Sequence, residues 1–279
     1  MGRIALTRVD RAPVFRKIAM GSWRTPHEGS VYSWLEIDMT KALKFMEDYG
    51  RAHNIKVSPV HLVGMAIKRC LKDRPEINGL IRGSRIYLRD KIALFFSVNI
   101  PPKEGDKTGK AILSGATIED ADDLTLKELV LALQKRAEII RDRKDLKFER
   151  NFTLIEWIPW FMMKWFLSFA SWLTYGLNLN FSWLGVPRDP FGSVLITNVG
   201  SFGVEVALPP LITYSRMPLL ISVGSIREMP FVINHQVVAR NGMTVGVVFD
   251  HRFMDGVHAA HMSKIFKKCF EDPEQYLEK

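Results

Sequence analysis

The 279 residues predict an α+β domain: a mixed, mostly β-sheet core with helices laid on it. Three observations carry this. The middle of the chain alternates amphipathic helical stretches with short apolar runs, the last third is strand-rich, and a helix closes the chain. Apolar residues make up 47% and charged residues 25%, an ordinary globular balance that suits one large domain or two small ones.

In chain order, residues 38 to 52 read as an amphipathic helix capped by Asp38 or Thr40, with Leu43, Phe45 and Met46 supplying apolar side chains. Ser58-Pro59 opens a second helix to about Lys72, on which Leu62, Met65, Ala66 and Cys70 recur at helical spacing. Leu80 to Arg82 and Arg85 to Leu88 flank Gly83-Ser84 as a hairpin. Ile92 to Ile100 and Ala111 to Ile118 read as strands around a polar loop at 101 to 110, and Leu124 to Arg143 as a long charged helix. Strands follow at Ser193 to Thr197, Leu219 to Ile226, Phe231 to Ala239 and Met243 to Phe249, with Asn241-Gly242 as a hairpin turn between the last two. Val257 to Phe270 is the closing helix. No internal repeat or low-complexity tract interrupts the order.

Cys70 and Cys269 offer neither a disulfide framework nor zinc spacing, which fits a reducing compartment. The N-terminus lacks the apolar run of a secretory signal, so cytoplasmic residence is the expectation. The formal charge of +9 suits nucleic acid, anionic lipid or a phosphorylated cofactor. No helix-turn-helix, zinc-finger or aromatic RNA-binding pattern accompanies it, and no nucleic-acid partner is expected.

The most informative segment is Val245-Gly-Val-Val-Phe-Asp-His-Arg-Phe-Met-Asp-Gly256. An apolar strand runs into a polar cluster, and a helix follows. A rigid strand can aim the His251 imidazole for proton transfer while Asp255 steadies the surroundings. The bland alternative is a structural pairing of His251 and Asp255 at the start of a surface helix. His258 and His261 lie nearby, but packing or solvent exposure is a better reading of them than metal ligation, and no metal is expected.

The spacing His-x-x-x-Asp-Gly resembles the signature of the chloramphenicol acetyltransferase-like superfamily. Asp250-His-Arg-x-x-Asp-Gly256 resembles the dihydrolipoyl acyltransferase core of 2-oxo acid dehydrogenase complexes. Further segments match in order: Arg16-Lys-Ile-Ala19, Thr25-Pro-His27 with Val31 to Thr40, Pro75-Glu-Ile-Asn78, and Ile196-Thr-Asn-Val-Gly-Ser-Phe-Gly203. The resemblance implies the chloramphenicol acetyltransferase-like fold, a homotrimer with active sites between neighbouring subunits, and coenzyme A as substrate. It implies His251 as general base and Thr197 as the hydroxyl that hydrogen-bonds the oxyanion, worth about 3 kcal/mol in comparable sites. It also implies Asp255 paired with an N-terminal arginine, Arg16, and turns shaped by Asn198 and Gly256. The alternatives are an ordinary strand threonine at 197 and a solvated charge at Arg16.

The function this implies is acyl transfer between coenzyme A and a thiol or hydroxyl acceptor. Two alternatives stand beside it: a non-catalytic trimeric scaffold, and the core of a 2-oxo acid dehydrogenase complex whose lipoyl domain is on another chain. No lipoyl group in cis is expected, because the chain starts at the catalytic core. The loop at 101 to 109 replaces the family's Asp-Gly-Leu-x-x-Pro strand, and the charged C-terminus argues against large shells.

The largest departure is an apolar, aromatic-rich insert at residues 152 to 186 within the single domain 1 to 279. From Trp157 to Leu177 its only charge is Lys164, a length of apolar chain that would span a bilayer. Three readings are open: a membrane-embedded or interfacial hairpin, an apolar lid or tunnel for a long acyl chain, and an oligomer interface. The first two both favour hydrophobic or lipid substrates.

Overall fold

The computed structural model describes residues 29–82, 85–100, 112–142, 159–179 and 189–278. The expected loop at 101 to 110, the Gly83-Ser84 turn, Arg16 and both flanks of the insert lie outside these residues.

The elements begin with β1 (Ser30–Asp38), α1 (Thr40–His53), α2 (Pro59–Asp73), β2 (Gly79–Arg82) and β3 (Arg85–Leu88). They continue with β4 (Leu94–Ile100), β5 (Ile112–Ile118), α3 (Leu126–Arg141) and α4 (Trp160–Ser171), which runs into a π-helical turn at Trp172–Gly176. The chain closes with β6 (Val194–Asn198), β7 (Leu219–Ile233), β8 (Gln236–Asp250), α5 (Gly256–Glu271) and the short α6 (Pro273–Leu277), which the sequence reading missed.

Six strands form one sheet in the order β1-β8-β7-β6-β4-β5, and β2 and β3 pair separately. β6 is parallel to both neighbours while the other pairs are antiparallel, so the sheet is mixed as expected. One face carries the main core, in which α2 is buried almost all round through Leu62, Val63, Met65, Ile67 and Leu71. Gly64 lets α2 approach that face: a β-carbon there would meet Phe96 at 3.0 Å. The opposite face holds a smaller cluster of Leu195, Met217, Leu220 and Val248, packed by Leu208 and Leu211.

α2 starts at a capping box in which Ser58 N donates to His61 Nδ1 at 3.0 Å. Burial pushes the His61 imidazole down to about 4. The same effect raises the thiols of Cys70 and Cys269, both buried and unpaired, the latter to about 12.

The last hairpin differs from its sequence reading. β7 and β8 are each 15 residues long, and Asn241-Gly242 lies inside β8, between Asp38 of β1 and Arg227 of β7. The turn is at Asn234-His235, with φ of 52° and 64°, the left-handed pair that a two-residue hairpin requires. Gly242 serves close packing instead: a β-carbon there would meet the Met229 sulfur at 2.7 Å.

Candidate active site

His251 sits one residue past the end of β8, in a turn pinned by its own backbone. Its N–H donates to Gly29 O at 2.7 Å, and its ring lies 6.4 Å from that of Phe249. The His251 side chain is exposed. On one side of it, Asp250 receives Arg252 Nη2 at 2.6 Å and the Arg252 backbone N–H at 2.9 Å. Burial pushes the Asp250 carboxyl up, but these hydrogen bonds outweigh it and hold the carboxyl below its ordinary range.

Asp255 is the N-cap of α5. Its Oδ1 accepts from Val257 N at 2.9 Å and His258 N at 3.2 Å and stands 2.7 Å from His258 Nδ1. The helix-start alternative therefore describes Asp255 well, with His258 in place of His251 as its partner. The Arg16 pairing falls outside the described residues. Gly256 is the first residue of α5, its φ is not positive, and a β-carbon there would meet nothing within 4 Å, so the expected turn-shaping role is not one its backbone demands. His261 Nε2 lies 4.0 Å from Asp73 Oδ2.

Thr197 lies near the end of β6, half-buried. The Ser97 hydroxyl of β4 donates to Thr197 Oγ1 at 2.8 Å. Ser97 escaped sequence reasoning because only the parallel pairing of β4 with β6 makes the two neighbours. Asn198 follows, with Oδ1 accepting from Ser201 N at 3.2 Å and its carbonyl from Ser201 Oγ at 3.0 Å. Beyond it Gly200 passes over β7 so closely that a β-carbon would meet Gly224 O at 2.4 Å. Glycine is required there by proximity.

His251 lies at one end of the sheet and Thr197 level with its middle, two strands away. Thr197 is level with Ser222 of β7, and Ser222 with Gly246 of β8. His251 is five residues further along, about 16 Å at roughly 3.3 Å per residue, and two strands across, about 10 Å more. Within one chain they do not meet.

The family model for the 2-oxoacid dehydrogenases acyltransferase catalytic domain matches residues 5–149 and 191–278. The chain belongs to this family. The model leaves 150 to 190 unmatched, the stretch that contains the aromatic insert. The succinyltransferase component of the Haemophilus influenzae 2-oxoglutarate dehydrogenase complex is 23% identical over 87% of this chain and 48% of its own length. The acetyltransferase component of the Mycoplasma capricolum pyruvate dehydrogenase complex is 22% identical over 80% and 40%. The chain thus spans about half the length of the curated relatives it matches. Among solved structures, the cubic core of the pyruvate dehydrogenase multienzyme complex aligns with a TM-score of 0.64 at 16% identity, covering 99% of this chain and all of the other. A probable dihydrolipoamide acetyltransferase from Listeria monocytogenes gives 0.61 at 16% identity, covering 95% and 94%. The acyltransferase-core fold extends across the domain.

The bilayer-spanning reading of the insert finds no support: no helix among the described residues is long and apolar enough to cross a membrane. α4 has 12 residues before its π-helical turn.

Proposed function

We propose that the chain is a coenzyme A-dependent acyltransferase that works as a homotrimer, with His251 of one copy facing Thr197 of the next. The observation that carries this reading is the separation of the two motifs on one sheet, His251 at its end and Thr197 two strands across and about 16 Å further along. Each half is fixed by backbone pairing, and the two are too far apart to act within a chain. A cyclic assembly can bring the His251 turn of one copy to the Thr197 strand of the next and complete the site.

The chemistry is acyl exchange. His251 removes the proton of an acceptor thiol or hydroxyl, which attacks the thioester carbonyl carbon of acyl-coenzyme A. A new bond to carbon forms, and the carbonyl oxygen becomes an oxyanion. Thr197 donates its hydroxyl hydrogen to that oxyanion, while the hydrogen bond from Ser97 occupies a lone pair of Thr197 and turns its O–H outward. The tetrahedral species collapses, the carbon–sulfur bond to coenzyme A breaks, and the leaving thiolate takes the proton from His251. Asp255 supports this by fixing the start of α5 just after the catalytic turn. No step calls for a metal, and the lipoyl group, if it is the acceptor, would be presented by a separate domain.

Thiol release from acetyl-coenzyme A with dihydrolipoamide as acceptor tests the reading. Wild type should turn over, and His251→Ala should lose at least a hundredfold in kcat. Equal rates for the two would overturn it and favour the scaffold alternative.

A further inference from the structure

The described part of the insert, residues 159–179, is fastened to the core. Arg82 of β2 donates through Nε to Gly176 O at 2.6 Å. That carbonyl closes the π-helical turn, where a cation is favoured by the helix dipole. Arg216, in the left-handed region at φ 52°, donates through Nε to Ser171 Oγ at 3.1 Å and through Nη1 to Ile81 O at 3.2 Å. A non-glycine residue held in that conformation is strained and persists where its contacts over-determine it. The two arginines clamp the end of α4 against β2 and the approach to β7.

This docking borders an open cavity of about 770 Å³. Its walls include Trp172 and Gly176 from the insert, Ile81 from β2, Leu211, and both residues that flank His251 in sequence, Asp250 and Arg252. Trp172 lies on Gly176, where a β-carbon would meet the indole at 2.8 Å, so the glycine seats the ring. A π-turn of this kind is often found at functional sites.

From the cavity an apolar stripe runs outward along α4. Met162, Trp165, Phe169 and Trp172 recur every three or four residues on one exposed face, and Trp165 is 76% exposed, Phe169 56% and Trp172 48%. From Trp165 to Trp172 the track is about 10 Å long. Trp172 belongs to both stripe and cavity, which makes them one continuous surface ending beside the catalytic turn. A flat oligomer interface or a membrane-resting face would not need to open into a cavity at that turn.

We propose that the insert is the binding element for a long apolar acyl chain, which lies along the Trp165–Phe169–Trp172 stripe and enters the cavity beside His251. The proposal rests on the acyltransferase reading and deepens it: the donor is a fatty acyl thioester rather than a two- to four-carbon one. Each methylene buried on this track raises kcat/KM roughly two- to fourfold until the track is filled.

The test is a chain-length ladder on the full protein: acetyl-, octanoyl- and palmitoyl-coenzyme A, each below its micelle concentration, with dihydrolipoamide as acceptor. Wild type should favour palmitoyl over acetyl by at least tenfold in kcat/KM. Phe169→Ala and Trp172→Ala should each cut that ratio by fivefold or more while remaining folded by thermal melt. Both side chains are half-exposed, and if one variant misfolds the other decides. A ladder that favours acetyl, or a ratio that neither variant moves, overturns the proposal and leaves the acyltransferase standing. Variants that change only oligomeric mass or retention on anionic vesicles also overturn it. If no acyl-coenzyme A is turned over, the transfer reading fails, and binding still decides the pocket. Palmitoyl-coenzyme A should then bind at least tenfold tighter than free coenzyme A and lose that advantage in Phe169→Ala, whereas equal affinities refute it.

Discussion

The hydroxyl of Ser97 donates to Thr197 Oγ1 at 2.8 Å, across a parallel strand pair and 100 residues of chain. A threonine that must donate to an oxyanion works best when its own hydrogen has a single outward direction. Ser97 supplies that orientation by occupying the inward lone pair.

On the proposed mechanism Ser97 is a positioning residue, and its removal should lower kcat more than it alters KM. Ser97→Ala should cost about tenfold in kcat, and Thr197→Ala about a hundredfold. Ser97→Thr should recover most of the loss. Steady-state kinetics with varied acyl-coenzyme A check this; an equal fall for Ser97→Ala and Ser97→Thr would assign the effect to packing.

The role of Asp255 at the start of α5 predicts a stability phenotype. Asp255→Ala removes the acceptor of two backbone N–H groups and should lower Tm by about 2–4 °C for a domain of this size. Asp255→Asn keeps the cap and should melt within about 1 °C of wild type. Thermal melts of the three proteins compare these directly.

His61 predicts a pH dependence. Its imidazole titrates at about 4 when buried and at 6.5 when unfolded, so the unfolded chain binds the proton first. The folded state is favoured above the unfolded value and loses up to about 3 kcal/mol as pH falls through the window between them. His61→Gln keeps a side chain able to complete the capping box and removes the titration. Its denaturant midpoint should vary less than that of wild type between pH 7 and pH 5; parallel curves would assign the acid sensitivity to other groups.

The order of helices and strands was legible because amphipathic periods at α1, α2 and α3 and the apolar run into His251 are local signals. The hairpin of β7 and β8 was not. Read from sequence, one strand ends at Ile226 and another begins at Phe231, yet Pro230 between them is tolerated inside β7 because β7 has run past β6 at that point and pairs with β8 alone. Asn241-Gly242 reads as a turn, yet Gly242 is held flat between β1 and β7. At the site, His251, Asp255, Thr197 and Asn198 were readable as motif residues. The Ser97 contact and the distance between Thr197 and His251 were not, since both follow from strand order. The insert was conspicuous by composition, but its seat on Arg82 and Arg216 depends on contacts far apart in sequence.

Complementation tests the central claim most directly. His251→Ala and Thr197→Ala chains, co-expressed with different tags and purified through both, should each be inactive alone. Together they should regain activity, because in every cyclic trimer that carries both tags about one site in three pairs an intact His251 with an intact Thr197 across an interface. A mixed assembly that stays at the background of its two parents would contradict a catalytic site shared between copies.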